Sequence, residues 1–439
     1  MTPMKPIRVG LLGFGIVGSG VAEILERNAE EIERRAGRRI EVARIAVRDL
    51  DKPREHIGPT ISVIDDPYEI VLDPSIDIVC ELIGGTEIAR DLVTEAIAQG
   101  KSVITANKAL LALHGNEIFA AASERGVMIA FEAAVAGGVP IIKALREGLT
   151  GNRIEWLAGI INGTTNYILS EMRDKGLSFA AALADAQALG YAEADPTFDI
   201  EGIDAAHKAT LLASIAFGIP VQFERAHVEG ISNLAAEDIA YAEKLGYRIK
   251  LLGIARRGTR GIELRVHPTL VPEKRLIASV EGAMNAVMVK GDFVGQTLYY
   301  GKGAGKQATA SAVVADLVDV TRMMTADPQN RVPHLAFQPG SLADSPILSS
   351  GEFETAFYLR MRVADEPGVL ADITRILADT EVSIGALLQR EAEADEPSTD
   401  IILLTHRTIE HRIDTAIRRI EALATVLSKV IRIRLEDLV

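Results

Sequence analysis

Ile7-Arg8-Val9-Gly10-Leu11-Leu12-Gly13-Phe14-Gly15-Ile16-Val17-Gly18 is the stretch on which the fold turns. An apolar run with strand character leads into Gly-x-Gly-x-x-Gly, and an amphipathic helical stretch, residues 17–35, follows at once. The first glycine permits a tight turn, the second lets backbone approach a pyrophosphate, and the third lets the helix pack close to the sheet. N–H groups at the start of that helix, Phe14, Ile16 and Val17 among the residues around them, would face anionic phosphates. Moving outward, strand-like runs recur at residues 40–47, 76–82, 101–105 and 127–130, with a helix-like stretch at 88–99. This βαβα rhythm specifies an α/β protein with a doubly wound, mostly parallel sheet of Rossmann type. The second strand ends in Ala46-Val47-Arg48-Asp49. Arg48 suits the extra phosphate of NADP and Asp49 the ribose hydroxyls of NAD, while a solvated turn pair is the plainer account. The order favours NADP, or use of both.

The chain has 439 residues, 48% of them apolar and 25% charged, ordinary for a globular protein. That length suits about two to four domains. A net charge of −14 disfavours nucleic acid and anionic membrane as partners. The single cysteine, Cys80, lies in the run Ile76-Asp77-Ile78-Val79-Cys80 and forms no intrachain disulfide. It reads as a small buried strand residue rather than a catalytic thiol. Neither a secretory leader nor a membrane span is expected, which places the chain in the cytoplasm.

Past Pro140 helices mix with longer strands, up to Gly301-Lys302-Gly303-Ala304-Gly305 and a helix at 309–323. Pro333, Pro339, Pro346 and several serines mark a linker over 331–350. Beyond it Phe357, Leu359, Met361 and Val363 alternate with Tyr358, Arg360 and Arg362. The elements that follow have the order βαββαβ, a ferredoxin-like unit. The expected division is therefore a dinucleotide-binding domain (1–140, completed by a helix at 309–325), an α+β catalytic and dimerisation domain (141–308), a linker (331–352) and a small C-terminal domain (353–439).

Three polar segments resist a purely structural account. Thr105-Ala106-Asn107-Lys108 follows a parallel strand, where open α/β sheets bind ligands. A lone loop lysine is ordinarily just solvated. Asn162-Gly163-Thr164-Thr165-Asn166-Tyr167 could cap a helix, but capping uses only one or two of its polar groups. The third runs from Gly190 to Lys208. Asp204 and Lys208 are four apart and share a helix stripe with Leu211 and Ile215, which should face inward. A partly buried lysine beside a carboxylate has a tunable proton affinity and can act as acid or base; a structural ion pair is the alternative. His207 lies on another face and reads as structural or solvated.

Residues 186–208 contain an alanine, Gly-aromatic, Asp-Pro, Asp, Gly-x-Asp and a lysine in the spacing of the homoserine dehydrogenase signature, which they resemble. Gly13–Gly18, Thr105–Lys108, Asn162–Tyr167 and Gly301–Gly305 are similar to that family's other segments, in its order. The resemblance implies reversible interconversion of L-homoserine and L-aspartate 4-semialdehyde with NADP or NAD. It implies that Lys208 gives the proton to the carbonyl oxygen and that Lys108 lies at the nicotinamide end. Glu193 and Asp204 would hold the substrate ammonium, Gly190 would contribute backbone, Asp199 would support the lysines, and Gly305 would join the cofactor site. Phe131-Glu132-Ala133-Ala134-Val135-Ala136-Gly137-Gly138-Val139-Pro140 resembles the family's monovalent-cation loop. There the Glu132 side chain and the carbonyls of Val135, Gly137 and Val139 would hold sodium, oxygen ligands suiting a hard cation. Read without the resemblance, the run is a glycine hinge. No His/Cys cluster has transition-metal spacing.

Asp365-Glu366-Pro367-Gly368-Val369-Leu370 resembles the effector loop of ACT domains. This implies a bound amino-acid effector, threonine as end product, and a homodimer or homotetramer; a pairing module without ligand is the alternative. Two rival functions stay open on the residues alone: another dehydrogenase of a small amino-acid derivative, and a non-catalytic nicotinamide-binding regulator. The second leaves Lys108, Lys208 and their carboxylates without a purpose.

Overall fold

The computed structural model describes residues 4–51, 57–389 and 397–439. The first unit consists of β1 (Ile7–Leu12), α1 (Ile16–Arg27), α2 (Ala29–Ala36), β2 (Ile40–Ala46), β3 (Ser62–Ile64), α3 (Tyr68–Val71), β4 (Ile78–Glu81), α4 (Glu87–Ala98), β5 (Ser102–Thr105), α5 (Lys108–Arg125) and β6 (Ile129–Ala130). Its six-stranded sheet has the order β3-β2-β1-β4-β5-β6. All the pairings are parallel. Chain direction across the sheet reverses between β1 and β4, which opens a crevice at their carboxyl ends. The expected helix over 17–35 is broken at Asn28, whose backbone leaves helical geometry (φ −108°, ψ 22°). Short β3 and helix α5 are additions to the sequence reading. Cys80 is buried in β4, and burial pushes its thiol far above the ordinary range. It is an inert core residue.

The chain continues with α6 (Ile141–Lys143), β7 (Ile154–Ile160), α7 (Gly163–Lys175), α8 (Phe179–Ala188), α9 (Thr197–Ile200), α10 (Ile203–Phe217), β8 (His227–Val228), α11 (Ala236–Lys244), β9 (Tyr247–Arg257), β10 (Ile262–Pro272), β11 (Met284–Gly291), β12 (Gly295–Lys302) and α12 (Lys306–Met323). Helix α12 returns to the first unit: a Cβ on Gly20 of α1 would lie 2.9 Å from the Ala310 Cβ, so the two helices touch at a glycine. Val313, Leu317 and Val320 of α12 share a core with Val9, Leu11 and Val21.

The last elements are β13 (Glu354–Ala364), α13 (Val369–Asp379), β14 (Ile384–Gln389), β15 (Ser398–Thr405), β16 (Thr408–Ile409), α14 (Glu410–Glu421) and β17 (Ile431–Leu435). They fold as the expected βαββαβ unit, but its sheet does not stand alone. Strand β17 pairs in parallel with β10, Thr269 opposite Arg434 and Leu270 opposite Leu435. The two units therefore share one eleven-stranded sheet, whose main path is β12-β11-β7-β9-β10-β17-β13-β15-β14.

Charges line this seam. Arg265 donates to Glu436 (2.5 Å) and to Glu263 (3.1 Å), and Arg256 donates to the other Glu436 oxygen (2.8 Å). Asp238 of α11 accepts from Tyr358 (3.0 Å) and from two nitrogens of Arg360 (2.6 and 3.0 Å). Arg265, Glu436 and Asp238 are all 0% exposed. Buried charges persist only when paired, so these pairs tie the units together. Residues 331–352 are irregular, as the prolines require, but they are strapped down. Ala343 N donates to Gly218 O (2.7 Å), and Ile262 exchanges bonds with Pro346 O (2.8 Å) and Leu348 N (2.9 Å). Among the described residues no helix is long and apolar enough to cross a membrane.

Candidate active site

The crevice beside β1 is a cleft of about 800 Å³ lined by Gly13, Phe14, Gly15, Ile16, Ser19, Arg48, Asp49, Asp65, Leu82, Ile83 and Lys306, among others. Its glycines differ in a way that fits a dinucleotide. Gly13 has φ +98° and lies under Leu82, whose carbonyl oxygen would be 2.9 Å from a Cβ. A Cβ on Gly18 would be 2.4 Å from the Gly13 oxygen. Gly15 has nothing within 4 Å, so its backbone faces open cleft at the start of α1, without a side-chain cap. That is the surface a pyrophosphate needs. Val17 lies in the first turn of α1 and lines a second hollow of about 330 Å³. Gly305, with φ +113°, starts α12 and brings Lys306 into the first cleft. Lys306 and Asp65 were not anticipated from the sequence, because they reach the cleft from elements remote from the glycine motif.

The second hollow shares Leu82 and Ile83 with the first and is also lined by Glu81, Asn107, Lys108 and Phe198. Glu81 ends β4 and is fully buried. It accepts from Thr105 Oγ1 (2.6 Å) and from the N–H groups of Ile83 (3.0 Å) and Gly84 (3.1 Å). Asn107 ties the same loop by donating to Gly85 O (2.7 Å), and its side-chain oxygen caps α5 at Leu110 N (3.0 Å). These bonds set where α5 starts, and Lys108 is its first residue. The acidic residue closing an otherwise apolar strand was the available signal for Glu81.

Lys108 Nζ lies 3.2 Å from Asp204 Oδ1. Lys208 Nζ donates to Asp204 Oδ2 (2.5 Å) and to Ile161 O (2.8 Å). Asn162 does two jobs: its oxygen caps α7 at Thr165 N (2.8 Å), and its amide nitrogen bridges Asp199 Oδ1 (2.7 Å) and Asp204 Oδ2 (2.9 Å). The segments around Lys108, Asn162 and Lys208 thus meet at one carboxylate. Helix α10 is buried along nearly its whole length, on all faces. The inward stripe was therefore correct for Lys208 but not distinctive. Burial raises the Asp204 carboxyl, but Lys208 and Lys108 outweigh it and hold it down at about 2. Burial lowers the Lys208 ammonium, only partly offset by Asp204, and Lys108 adds to the lowering. Burial raises Asp199, with Asn162 opposing and Asp204 reinforcing.

Gly190 (φ +75°) and Glu193 lie on the exposed loop after α8. Thr164 Oγ1 holds that loop at Tyr191 O (2.7 Å), and the Tyr167 and Tyr191 rings pack 4.9 Å apart. Among the described residues no hydrogen bond or ion pair joins Glu193 to the Asp204 cluster. His207 is buried between Phe198 and Phe223, ring centroids 5.4 and 4.3 Å away, and burial lowers it to about 4. It is neutral and structural.

The loop after β6 is held by backbone hydrogen bonds and close glycine packing. Both Glu132 oxygens accept backbone N–H groups, from Ile142 (2.9 Å) and Lys143 (2.8 Å). Burial, then Asp316, raises this carboxyl to about 7. The Val139 carbonyl accepts from Ile141 N (2.8 Å). Gly137 packs on Gly303, whose oxygen would be 2.5 Å from a Cβ. Glu132 thus caps the start of α6, each of its oxygens accepting one N–H and keeping a further lone pair. Asp365 to Gly368 form an exposed turn, with Gly368 (φ +99°) opening α13 at Val369 and Leu370.

Residues 140–318 match the model of the family described as homoserine dehydrogenase, and residues 13–132 that of its NAD-binding domain. Residues 357–425 match the ACT domain. The chain belongs to the homoserine dehydrogenase family. Among its relatives is the homoserine dehydrogenase of Pseudomonas aeruginosa, 62% identical over 99% of this chain and 100% of that one. The crystal structure of a homoserine dehydrogenase from Thiobacillus denitrificans is 68% identical, covers 100% of both chains and superposes with a TM-score of 0.95. A hyperthermophilic archaeal homoserine dehydrogenase in complex with NADPH is 28% identical, with a TM-score of 0.62 over 72% of this chain and 98% of that one. As a member of this family the chain is an NAD(P)-dependent oxidoreductase with a C-terminal ACT domain. The rival of a non-catalytic regulator is set aside.

Proposed function

We propose that Lys208 is the acid–base group in the NAD(P)-dependent interconversion of L-homoserine and L-aspartate 4-semialdehyde. The observation that carries this is the Lys208 ammonium, largely shielded and held between Asp204 Oδ2 and Ile161 O, with Lys108 on the other Asp204 oxygen. The nicotinamide, when bound, supplies or takes the hydride. As the aldehyde is reduced, negative charge builds on its oxygen, and the Lys208 ammonium gives that oxygen a proton. In the reverse direction neutral Lys208 takes the hydroxyl proton. Lowered proton affinity helps both, since an ordinary lysine is almost never neutral near pH 7. Lys108, at the mouth of the nicotinamide hollow, steadies the same oxygen.

Asp204 already accepts from Lys208 and Asn162 and is ion-paired with Lys108, so its main work is to orient the two ammonium groups. Asp199 and exposed Glu193 are better placed to take the substrate ammonium, with Gly190 lending backbone. Phe14 to Gly18 take the pyrophosphate, and Arg48 beside the cleft favours NADP. Glu132 caps α6, and its remaining lone pairs, with the carbonyls of Val135, Gly137 and Val139, would hold sodium. The domain division is 1–140 with α12, then 141–308, the strap 331–352, and 353–439. Threonine would bind at the turn of Asp365, Pro367, Gly368, Val369 and Leu370. Two copies would meet along the outer edge of β14, where Leu387 (42%) and Leu388 (36%) are exposed. The lone buried cysteine suits a reducing cytoplasm.

Lys208→Ala tests the reading. Turnover is lost while NADPH binding, followed by its fluorescence, remains; wild-type turnover sinks the assignment.

A further inference from the structure

The turn between Asp199 and Asp204 is gripped from outside by a segment that the reaction does not use. Asp199 precedes this turn and Asp204 follows it, with Gly202 (φ +79°) at its corner. Residues 229–232, just after β8, hold it. Ile231 N donates to Ile200 O (2.8 Å), and Ser232 Oγ donates to Glu201 Oε1 (2.7 Å). The contact has no slack: a Cβ on Gly230 would sit 2.4 Å from Ile200 O, and one on Gly202 would sit 3.3 Å from Glu229 O.

The gripping segment is itself anchored in β10 and in the ACT unit. Glu229 N donates to Val266 O of β10 (2.8 Å). The Glu229 carboxylate receives both terminal nitrogens of Arg434 (2.7 and 2.9 Å), Arg432 (3.3 Å) and His227 Nε2 (2.9 Å). Both arginines belong to β17, and Arg434 is 1% exposed. Arg434 also pairs with Glu410 of α14, Nε to Oε2 at 2.8 Å.

We propose that Glu229 is a positioning residue for Asp199 and Asp204, set by Arg432 and Arg434 through the turn of Ile200 to Gly202. The last strand of the ACT unit is then a structural part of the substrate site. This rests on the reading of Asp199 and Asp204 given above. A two-pronged arginine–carboxylate pair fixes orientation as well as distance. Close-packed backbone passes displacement on rather than absorbing it. Misplacing reacting groups by about 1 Å can cost on the order of 100-fold in rate, so a small slip at Glu229 is felt at the lysines.

The test uses the full-length enzyme carrying Glu229→Gln, Ser232→Ala, and both. Steady-state kinetics with homoserine and NADP are measured beside thermal melting. The KM for homoserine should rise about fivefold or more in each single variant, with the KM for NADP within about twofold of wild type. The double variant should fall short of the product of the two, because both act on one turn. Ser232→Ala removes one partly buried hydroxyl and keeps its Tm, so it guards against a folding defect in Glu229→Gln. An unchanged homoserine KM in Ser232→Ala overturns the proposal. So does a multiplicative double variant, or parallel loss of both substrates' kinetics with falling Tm. Lys208→Ala, run alongside, separates the two claims: full turnover there overturns the site reading itself. Loss of turnover there, with an unchanged homoserine KM in the other variants, overturns only the positioning role.

Discussion

The cofactor cleft takes much of its wall from residues 13–19 and 46–49, two short segments at neighbouring strand ends of one parallel sheet. The lysine–carboxylate cluster instead gathers Lys108, Ile161, Asn162, Asp199, Asp204 and Lys208 from segments up to a hundred residues apart. In the first, backbone and glycine shape the cleft, so the sequence pattern nearly is the surface. In the second, charged side chains are paired where packing has removed much of the water. One site should therefore fail through backbone shape, the other through burial and pairing.

The largest expected effect breaks the second kind. Lys208→Ala should lower kcat by about a thousandfold while leaving cofactor affinity intact, measured by initial rates and NADPH titration. In the wild type, aldehyde reduction needs the ammonium, so its rate should fall as pH rises through the lowered Lys208 pKa. Asp204→Asn removes a group that raises this pKa, and the falling limb should move to lower pH.

Next comes the seam between catalytic and ACT units. Glu436→Gln leaves Arg265 buried with a weakened partner and should cost about 3–5 kcal/mol in denaturant unfolding. The two arginines, Arg265 and Arg256, overcome burial and hold this carboxyl at about 2, against an ordinary 4.5. Its contribution should thus be complete above pH 4.5 and fade as pH falls towards 2. Loss of stability already at pH 6 that Glu436→Gln abolishes would contradict this sign. The same pairs make truncation after Ser350 a poor probe of effector binding, since it strips Glu436 from both arginines.

The cofactor cleft gives the cleanest contrast. Gly15→Ala places a methyl in open cleft, so Tm should hold while the NADPH Kd rises by tens of fold, on the order of 2 kcal/mol. A large fall in Tm would mean that Gly15 is needed for folding, like Gly13 and Gly18. The smallest effect is expected from exposed Arg48: Arg48→Ala should reduce any preference for NADPH over NADH by about tenfold or less, read from the ratio of kcat/KM values.

Legibility followed the same division. Strand β1, the glycine turn and the βαββαβ order were readable because each is a local pattern of period two or a turn with one chemical solution. Asp204 and Lys208 were readable as a pair because four residues make one helical step. Glu81, Lys306 and the second role of Asn162 were not, since their partners lie on other elements. The strap at 331–352 looked like a linker because prolines suppress periodicity whether or not the segment is packed. His207 could not be separated from a solvated histidine until Phe198 and Phe223 were seen against it.

The sequence by itself determined the dinucleotide fold, the family and the pairing of Asp204 with Lys208, because those are written in turns, spacings and residue types. Only the tertiary structure decided that β17 completes the catalytic sheet and that Arg432 and Arg434 reach Glu229. It also decided that both Glu132 oxygens accept backbone N–H groups at the start of α6. Pairing between distant strands and the pairing of buried charges depend on which surfaces exclude water together, and no local pattern records that.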